Sequence, residues 1–137
     1  MNMLVVIDSR VQAYPMLAAG VRNGAKVIVI DPNFDGIEQI TQSLAEHPAS
    51  SLHIVCHGEP GTLYLGKTPL KGTNLETYRH QLQQWHVTDI LLYACNVAAL
   101  EQRNRRATDN PSFKFLQRLH QLTGANIAAS NHRVGST

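Results

Sequence analysis

Two residues of this chain have side chains that could act together in covalent catalysis. Cys95 carries a thiol, which attacks a carbonyl carbon once a neighbouring base removes its proton. The imidazole of His57 can serve as that base and can then protonate a leaving amine. The backbone N–H groups of Gly58 and Cys95 could bind the oxyanion, since glycine lets a substrate approach closely. The residue types therefore predict cleavage of an amide bond through a thioester.

Both residues directly follow an apolar segment that has the character of a buried strand. His57 follows Leu52–Cys56, and Cys95 follows Asp89–Ala94. In an open parallel sheet, functional groups collect at the carboxyl ends of the strands. Two neighbouring strands are separated by about 4.8 Å. If these two strands are neighbours, we expect His57 and Cys95 to face each other at one edge of the sheet.

Each of these residues also has a purely structural interpretation. A single cysteine in an apolar strand is more often a small core side chain, and a single histidine is usually a satisfied polar residue. Cys56 must point away from His57, because side chains alternate along a strand, and we predict that it packs against a helix. His53 and His57 would share a face of the strand but lie about 13 Å apart, which is too far to bind one metal ion. No metal site is therefore expected, and no cofactor is expected either.

The alternation of strand and helix patterns indicates how these residues are positioned. Five short apolar segments predict buried strands: Met3–Ile7, Lys26–Ile30, Leu52–Cys56, Asp89–Ala94 and Ala125–Ala129. Between the third and fourth of them, alternation around Gly66-Lys67 predicts a hairpin over Gly61–Leu70.

Helical periodicity fills most of the intervals between the predicted strands. The predicted helices are Val11–Val21, one with Ile37, Ile40 and Leu44 on one face, one that carries Leu75, Tyr78, Leu82 and Trp85 after a cap at Thr73 or Asn74, and one with Phe115, Leu119 and Leu122 that ends at Gly124. Residues 101–112 are predicted to be a loop or a frayed helix.

This order of elements indicates the fold class. Strands separated by helices imply parallel pairing with right-handed crossovers. Strands that are apolar on both faces require helices on both sides of the sheet. We predict one α/β domain over residues 1–137, with three layers and a mostly parallel sheet of about five strands flanked by helices.

Composition and charge exclude several classes of protein. With 43% hydrophobic and 16% charged residues, the 137-residue chain can build one core and is not disordered. A net charge of +2 does not suit a nucleic-acid-binding tail. Two cysteines are too few for a disulfide scaffold. No apolar run approaches the roughly 20 residues of a membrane span, and no signal peptide is visible, so a cytoplasmic location is expected.

The His57-Gly58 and Ala94-Cys95 pairs resemble the caspase-like cysteine peptidase superfamily (clan CD type), which includes caspases, legumain, gingipains, clostripain and separase. Longer segments are similar to an uncharacterised bacterial caspase-like domain, common near the N-terminus of large surface proteins that carry cadherin-like or calcium-binding repeats. These segments are Leu4–Arg10, Asp35-Gly36, His53–Gly61, Asp89–Ala98 and Leu122–Ala125. The resemblance implies a caspase-like (flavodoxin-like) sheet with a His-Cys dyad at its carboxyl edge, in a protein that is often secreted or on the cell surface.

The resemblance also implies a role for individual residues. His57 is expected to be the general base, Cys95 the nucleophile, and Gly58 a donor of the oxyanion hole together with Cys95. Tyr93 would help to line the pocket for the residue that precedes the cut, where relatives specific for basic residues have an acid. Arg10 lies where caspases bind a substrate aspartate, and Asn96 completes the expected pocket.

Several functions remain open at this stage. The first is a cysteine endopeptidase that acts on itself or on a specific protein or peptide partner. The second is a catalytically inactive interaction or oligomerisation module, because residues 130–137 leave little room for the sixth strand of the caspase fold. A receiver-like or flavin-binding domain is disfavoured, since Asp8 lacks an acidic neighbour and no phosphate-binding loop is present. The uncharged edge at 125–129 predicts a homodimer.

Overall fold

The computed structural model describes residues 2–12, 25–94 and 110–129, and these residues form an α/β fold. Among them are seven strands: β1 Met3–Asp8, β2 Ala25–Ile30, β3 Ser51–Glu59, β4 Thr62–Leu65, β5 Thr68–Lys71, β6 Asp89–Ala94 and β7 Asn126–Ala129. The described helices are α1 Gly36–Glu46, a 3-10 helix Leu75–Tyr78, α2 Arg79–Gln83 and α3 Pro111–Thr123.

Five of these strands form a parallel sheet in the order β2-β1-β3-β6-β7. The strand order reverses between β1 and β3, and ligands bind at such switch points in open α/β sheets. β4 and β5 extend β3 as an antiparallel hairpin. The predicted α/β class, with a mostly parallel sheet flanked by helices, is confirmed.

The described helices share one hydrophobic core with one face of the sheet. That face carries alternate residues of the strands, among them Leu4, Val6, Leu52, Ile54, Ile90 and Leu92. Asp35 precedes helix α1 as its N-cap, and its carboxylate accepts hydrogen bonds from the N–H groups of Ile37 and Glu38. Its buried side chains are the Ile37, Ile40 and Leu44 that the periodicity predicts.

Strand β3 is longer than its apolar segment. The prediction that it ends at His57-Gly58 is wrong, because the strand continues to Glu59. β4 returns beside this extension, with Tyr64 opposite His57 and Thr62 opposite Glu59. The antiparallel partner supplies the backbone hydrogen bonds that keep the polar end of β3 extended.

The helix predicted after residue 73 is shorter and less regular than expected. It consists of the 3-10 helix and α2, and Trp85 lies beyond its end. Asn74 precedes it without capping it, because its side chain bonds instead to the Lys71 N–H and the Pro69 carbonyl of β5. The indole of Trp85 donates to Thr41 of α1 at 2.8 Å, so this segment is fixed by its neighbours in the core.

The last described elements follow the sequence pattern closely. Helix α3 buries Phe115, Leu119 and Leu122 and ends at Gly124, which has the left-handed φ of 75° typical of a helix C-terminus. Three segments lie outside the described residues: most of the predicted helix 11–21, most of the predicted loop 101–112, and the tail 130–137. No helix in the described part of the chain is long and apolar enough to cross a membrane.

Candidate functional site

His57 lies on the extension of β3 at the carboxyl edge of the sheet, with its side chain exposed. Its Nε2 atom is 3.1 Å from the backbone carbonyl oxygen of Arg10. Because a carbonyl oxygen only accepts hydrogen bonds, this contact requires a hydrogen on Nε2. In the neutral ring the lone pair is then on Nδ1, which can accept a proton.

The pairing of β3 with β6 bears on the predicted dyad. The two strands are parallel neighbours, as the sequence argument requires, and their last registered pair is Cys56 with Ala94. The next residues in the two sequences are His57 and Cys95. Cys95 and Asn96 lie outside the described residues, so their roles as nucleophile and pocket residue stay predictions.

The backbone N–H group of Gly58 points to the side of β3 that faces away from β4. The Asn74 side chain bonds to backbone groups of Pro69 and Lys71 at the outer edge of β5. The backbone groups of Leu70, which lies between them, therefore face β4. Backbone groups alternate in direction along each strand of an antiparallel ladder. Leu63 of β4 pairs with Leu70, so the backbone groups of Leu63 face β5. Because Leu63 also lies opposite Gly58, the Gly58 N–H has no partner on β4 and points away from that strand.

Cys56 is buried and chemically inert. Its side chain belongs to the core and is 4% exposed, as predicted from strand alternation. Burial and, to a smaller extent, the negative charge of Asp8 raise the pKa of the Cys56 thiol to about 12. A thiol with this pKa supplies almost no thiolate at neutral pH, so Cys56 cannot be the nucleophile.

An ion pair between buried Asp8 and partly exposed Arg10, which the sequence reasoning missed, fixes the end of β1. The Asp8 carboxylate accepts hydrogen bonds from Arg10 Nε and Nη2 at 2.8 Å each and from the Gly66 N–H at 2.8 Å. Burial raises the pKa of Asp8, but these hydrogen bonds outweigh it and hold the pKa below 3.8. The available signal was an aspartate that ends an apolar strand two residues before an arginine.

Arg10 therefore has partners within the molecule. Besides the two bonds to Asp8, its Nη2 atom donates to the carbonyls of Gly66 at 2.8 Å and Tyr64 at 3.4 Å. The guanidinium edge that could hold a carboxylate in two parallel bonds is thus occupied by Asp8. A substrate carboxylate would have to displace Asp8 or bind another edge of Arg10, and its role in the pocket stays a prediction.

Tyr93 stacks on His53, which lies four residues before His57 on β3. The two rings lie 5.9 Å apart at 13° to one another, and the Tyr93 hydroxyl is 3.3 Å from His53 Nδ1. Tyr93 pairs with Val55, so its ring is directed back along the sheet towards the amino end of β3. Partial burial lowers the pKa of His53. In the described part of the chain, no three His, Cys, Asp or Glu side chains cluster to hold a metal.

Comparison with known proteins places nearly the whole chain in one family. Residues 4–137 match the family described as a domain of unknown function, DUF4347. No curated protein matches the chain significantly. The matched range includes β1 from Leu4 onward and every later described strand and helix, among them β3 with His57. The chain therefore belongs to the DUF4347 family of domains.

Proposed function

We propose that this chain is a caspase-like cysteine endopeptidase domain in which His57 activates Cys95. The observation that carries the proposal is the parallel register of β3 and β6. Its last pair, Cys56 with Ala94, directly precedes the histidine and the second cysteine in the two sequences. Because Cys56 is buried with a pKa of about 12, Cys95 is the cysteine left for chemistry. The substrate would be the domain itself or a specific protein partner.

The proposed reaction begins with proton transfer from the Cys95 thiol to Nδ1 of His57. The thiolate sulfur attacks the scissile carbonyl carbon and gives a tetrahedral oxyanion. The Gly58 N–H, which points away from β4, and the Cys95 N–H would donate to this oxyanion. The C–N bond then breaks, the leaving amine takes the proton from His57, and a thioester remains on Cys95.

Hydrolysis of the thioester completes the cycle. His57 removes a proton from water, the hydroxide adds to the thioester carbon, and the C–S bond breaks. The peptide leaves as a carboxylic acid, and the sulfur regains its proton from His57. The bond from Nε2 to the Arg10 carbonyl supports both steps, because it keeps the ring oriented and would be strengthened when His57 is positively charged.

The direct test is labelling with a peptide that carries a thiol-directed electrophile, followed by mass spectrometry of the intact protein and its fragments. We expect one label, on Cys95, with Cys56 unmodified in the folded protein. Cys95→Ala should abolish the labelling. His57→Gln should slow it about 100-fold, because the base is removed. The matched control His53→Gln changes a histidine on the same strand and should leave the rate unchanged.

If Cys95 is not labelled, or if His53→Gln and His57→Gln slow the labelling equally, the proposed dyad is wrong. Cleavage provides the second readout. Self-cleavage or cleavage of a peptide library by the native chain should disappear in the Cys95→Ala variant. A cleavage that persists unchanged in this variant would contradict the proposal.

A second candidate function is a catalytically inactive interaction module. It is favoured by two contacts in the described residues: Asp8 occupies the carboxylate-binding edge of Arg10, and Tyr93 packs on His53. Both side chains therefore already have partners within the molecule in this arrangement. In a cell-based assay that compares the native chain with the Cys95→Ala variant, full function of the variant would favour the interaction module. Loss of function would favour the peptidase.

The edge strand β7 supports a further part of the proposal, namely a homodimer. Among the described strands β7 pairs only with β6, and its residues Asn126–Ala129 carry no charge. Natural sheet edges are normally covered, bulged or charged. We infer that a second copy pairs along this edge and forms a continuous sheet across the dimer.

A further inference from the structure

A basic groove lies between the β3–β4 hairpin and the start of α3, outside the proposed dyad. Its volume is about 490 Å³, which is within the range of ligand-binding pockets. One wall is the hairpin turn at Pro60 and Gly61, and the other is the first turns of α3. Lys71, Gly72 and Thr73, which follow β5, close one end.

The charge of this groove is entirely positive among its described lining residues. The charged residues that line it are Lys71, Lys114 and Arg118. Lys114 and Arg118 are four residues apart on α3, so they project from the same side of the helix. Arg118 is partly neutralised by Glu76, at 2.5 Å, whereas Lys71 and Lys114 form no ion pair within the described residues.

The floor of the groove is apolar and packed into the core. Leu75 and Phe115 form it, and both are almost fully buried in the core. Gly61 packs directly against α3, because a Cβ atom there would lie 3.0 Å from the Pro111 carbonyl oxygen. The two walls are thus held at a fixed separation, and a ligand would meet a preformed surface that needs little ordering.

We propose that this groove binds an acidic peptide segment of a protein partner. Carboxylates on the peptide would pair with Lys71 and Lys114, while its backbone and an apolar side chain pack on Pro60 and Pro111. Single-stranded nucleic acid fits less well, because it binds through aromatic side chains that stack on the bases. The aromatic residue among those that line the groove, Phe115, is 1% exposed and cannot stack.

The position of the groove relates it to the candidate site. Pro60 follows His57 by three residues, and three extended residues span about 10 Å. A peptide held in the groove would therefore begin close to the proposed dyad, at the same edge of the sheet. Binding itself needs no catalysis, so it is measured on the Cys95→Ala protein, and its result does not depend on whether the domain is a peptidase.

The first experiment measures fluorescence anisotropy with a labelled Glu-Asp-Leu-Asp-Glu peptide and with its neutral counterpart Gln-Asn-Leu-Asn-Gln. We expect saturable binding of the acidic peptide alone, weakened by salt as charge pairing requires. The double variant Lys71→Glu/Lys114→Glu should bind it at least about tenfold more weakly. The matched control Lys26→Glu/Lys67→Glu changes net charge by the same amount at exposed lysines outside the groove and should stay within about twofold.

The second experiment needs no groove variant and therefore covers the case in which a variant does not fold. In amide NMR spectra of the Cys95→Ala protein, the acidic peptide should shift the resonances of Gly61, Gly72 and Thr73. Shifts confined to another surface would overturn the proposal. So would equal binding of the neutral peptide, equal loss in both double variants, or tighter binding of a single-stranded oligonucleotide of the same charge.

Discussion

At the residue scale, Asp8 connects three parts of the candidate site. The carboxylate has no exposed surface, although it ends a strand beside a polar edge. It holds the Arg10 guanidinium, and the Arg10 carbonyl in turn accepts from His57. It also binds the Gly66 N–H and so attaches the β4–β5 turn to β1. A buried charge of this kind is stable only while each of these donors is in place.

We therefore expect Asp8→Asn to lower the free energy of unfolding by about 2–4 kcal/mol at neutral pH, since it removes a buried charge from its paired donors. Urea denaturation gives the value directly. Arg79→Gln, which breaks the exposed pair with Glu76, is the control and should cost less than about 1 kcal/mol. Similar losses in both variants would show that the Asp8 contacts contribute little.

The loss of stability caused by Asp8→Asn should depend on pH, and the pKa of Asp8 determines the direction of that dependence. The pKa of Asp8 is lowered in the folded protein, so its ionised form stabilises the fold at pH values above the ordinary 3.8. That contribution is lost as the pH falls through the lower folded-state pKa. The difference in melting temperature between native chain and Asp8→Asn should therefore shrink below about pH 3.8. A difference that is constant between about pH 6 and about pH 2 would refute the assignment.

At the scale of elements, the β4–β5 hairpin is fixed to its neighbours by backbone contacts around Gly66. Gly66 has φ of 68°, and a Cβ atom there would lie 2.3 Å from the Phe34 carbonyl oxygen. It would also lie 2.6 Å from the nitrogen of Gly36, the first residue of α1. The turn of the hairpin thus packs backbone to backbone against the start of the helix, which only glycine permits here.

Gly66→Ala should destabilise the fold by about 3 kcal/mol or more, because it combines a steric clash with an unfavourable φ. Differential scanning calorimetry measures the effect. Gly72→Ala is the matched control, since no atom lies within 4 Å of a Cβ there and its φ is not positive, so we expect a change within about 0.5 kcal/mol. Equal melting temperatures of the two variants would contradict this packing.

The outer edge of β5 is protected by the Asn74 side chain, which bonds to Lys71 and Pro69. Asn74→Ala should cost about 1–2 kcal/mol, because two backbone groups lose their partner and the edge opens. Asn33→Ala, at an exposed turn, is the control and should cost less than about 0.5 kcal/mol. Chemical denaturation together with light scattering would detect both the loss of stability and any new association.

These contacts mark the boundary of what the sequence could predict. Strand and helix positions with a clear apolar period, such as β6 and α1, follow from burial alone. The extension of β3 depends on β4, and the shortened helix after Asn74 depends on the edge of β5. The Asp8–Arg10 pair needs the β4–β5 turn to complete it. Periodicity describes one element at a time and carries no information about such contacts between elements.

At the scale of the whole molecule, β7 is the last of the described strands in the parallel sheet, and it carries no charge. We expect the native chain to be a dimer in analytical ultracentrifugation, paired along Asn126–Ala129. Ala128→Lys places a charge on this strand and should weaken the dimer about tenfold. Lys26→Ala at the other end of the sheet is the control and should leave the association unchanged. A monomer at high concentration would exclude this pairing.

The alternation of β3 has a consequence for how chains of this family can change in length. Leu52, Ile54 and Cys56 face the core, while His53, Val55 and His57 face the other side. Deleting one residue from this strand would turn the imidazole into the core and bring the inert thiol out. A change of two residues preserves both environments, whereas a single inserted residue preserves them only if a β-bulge absorbs it.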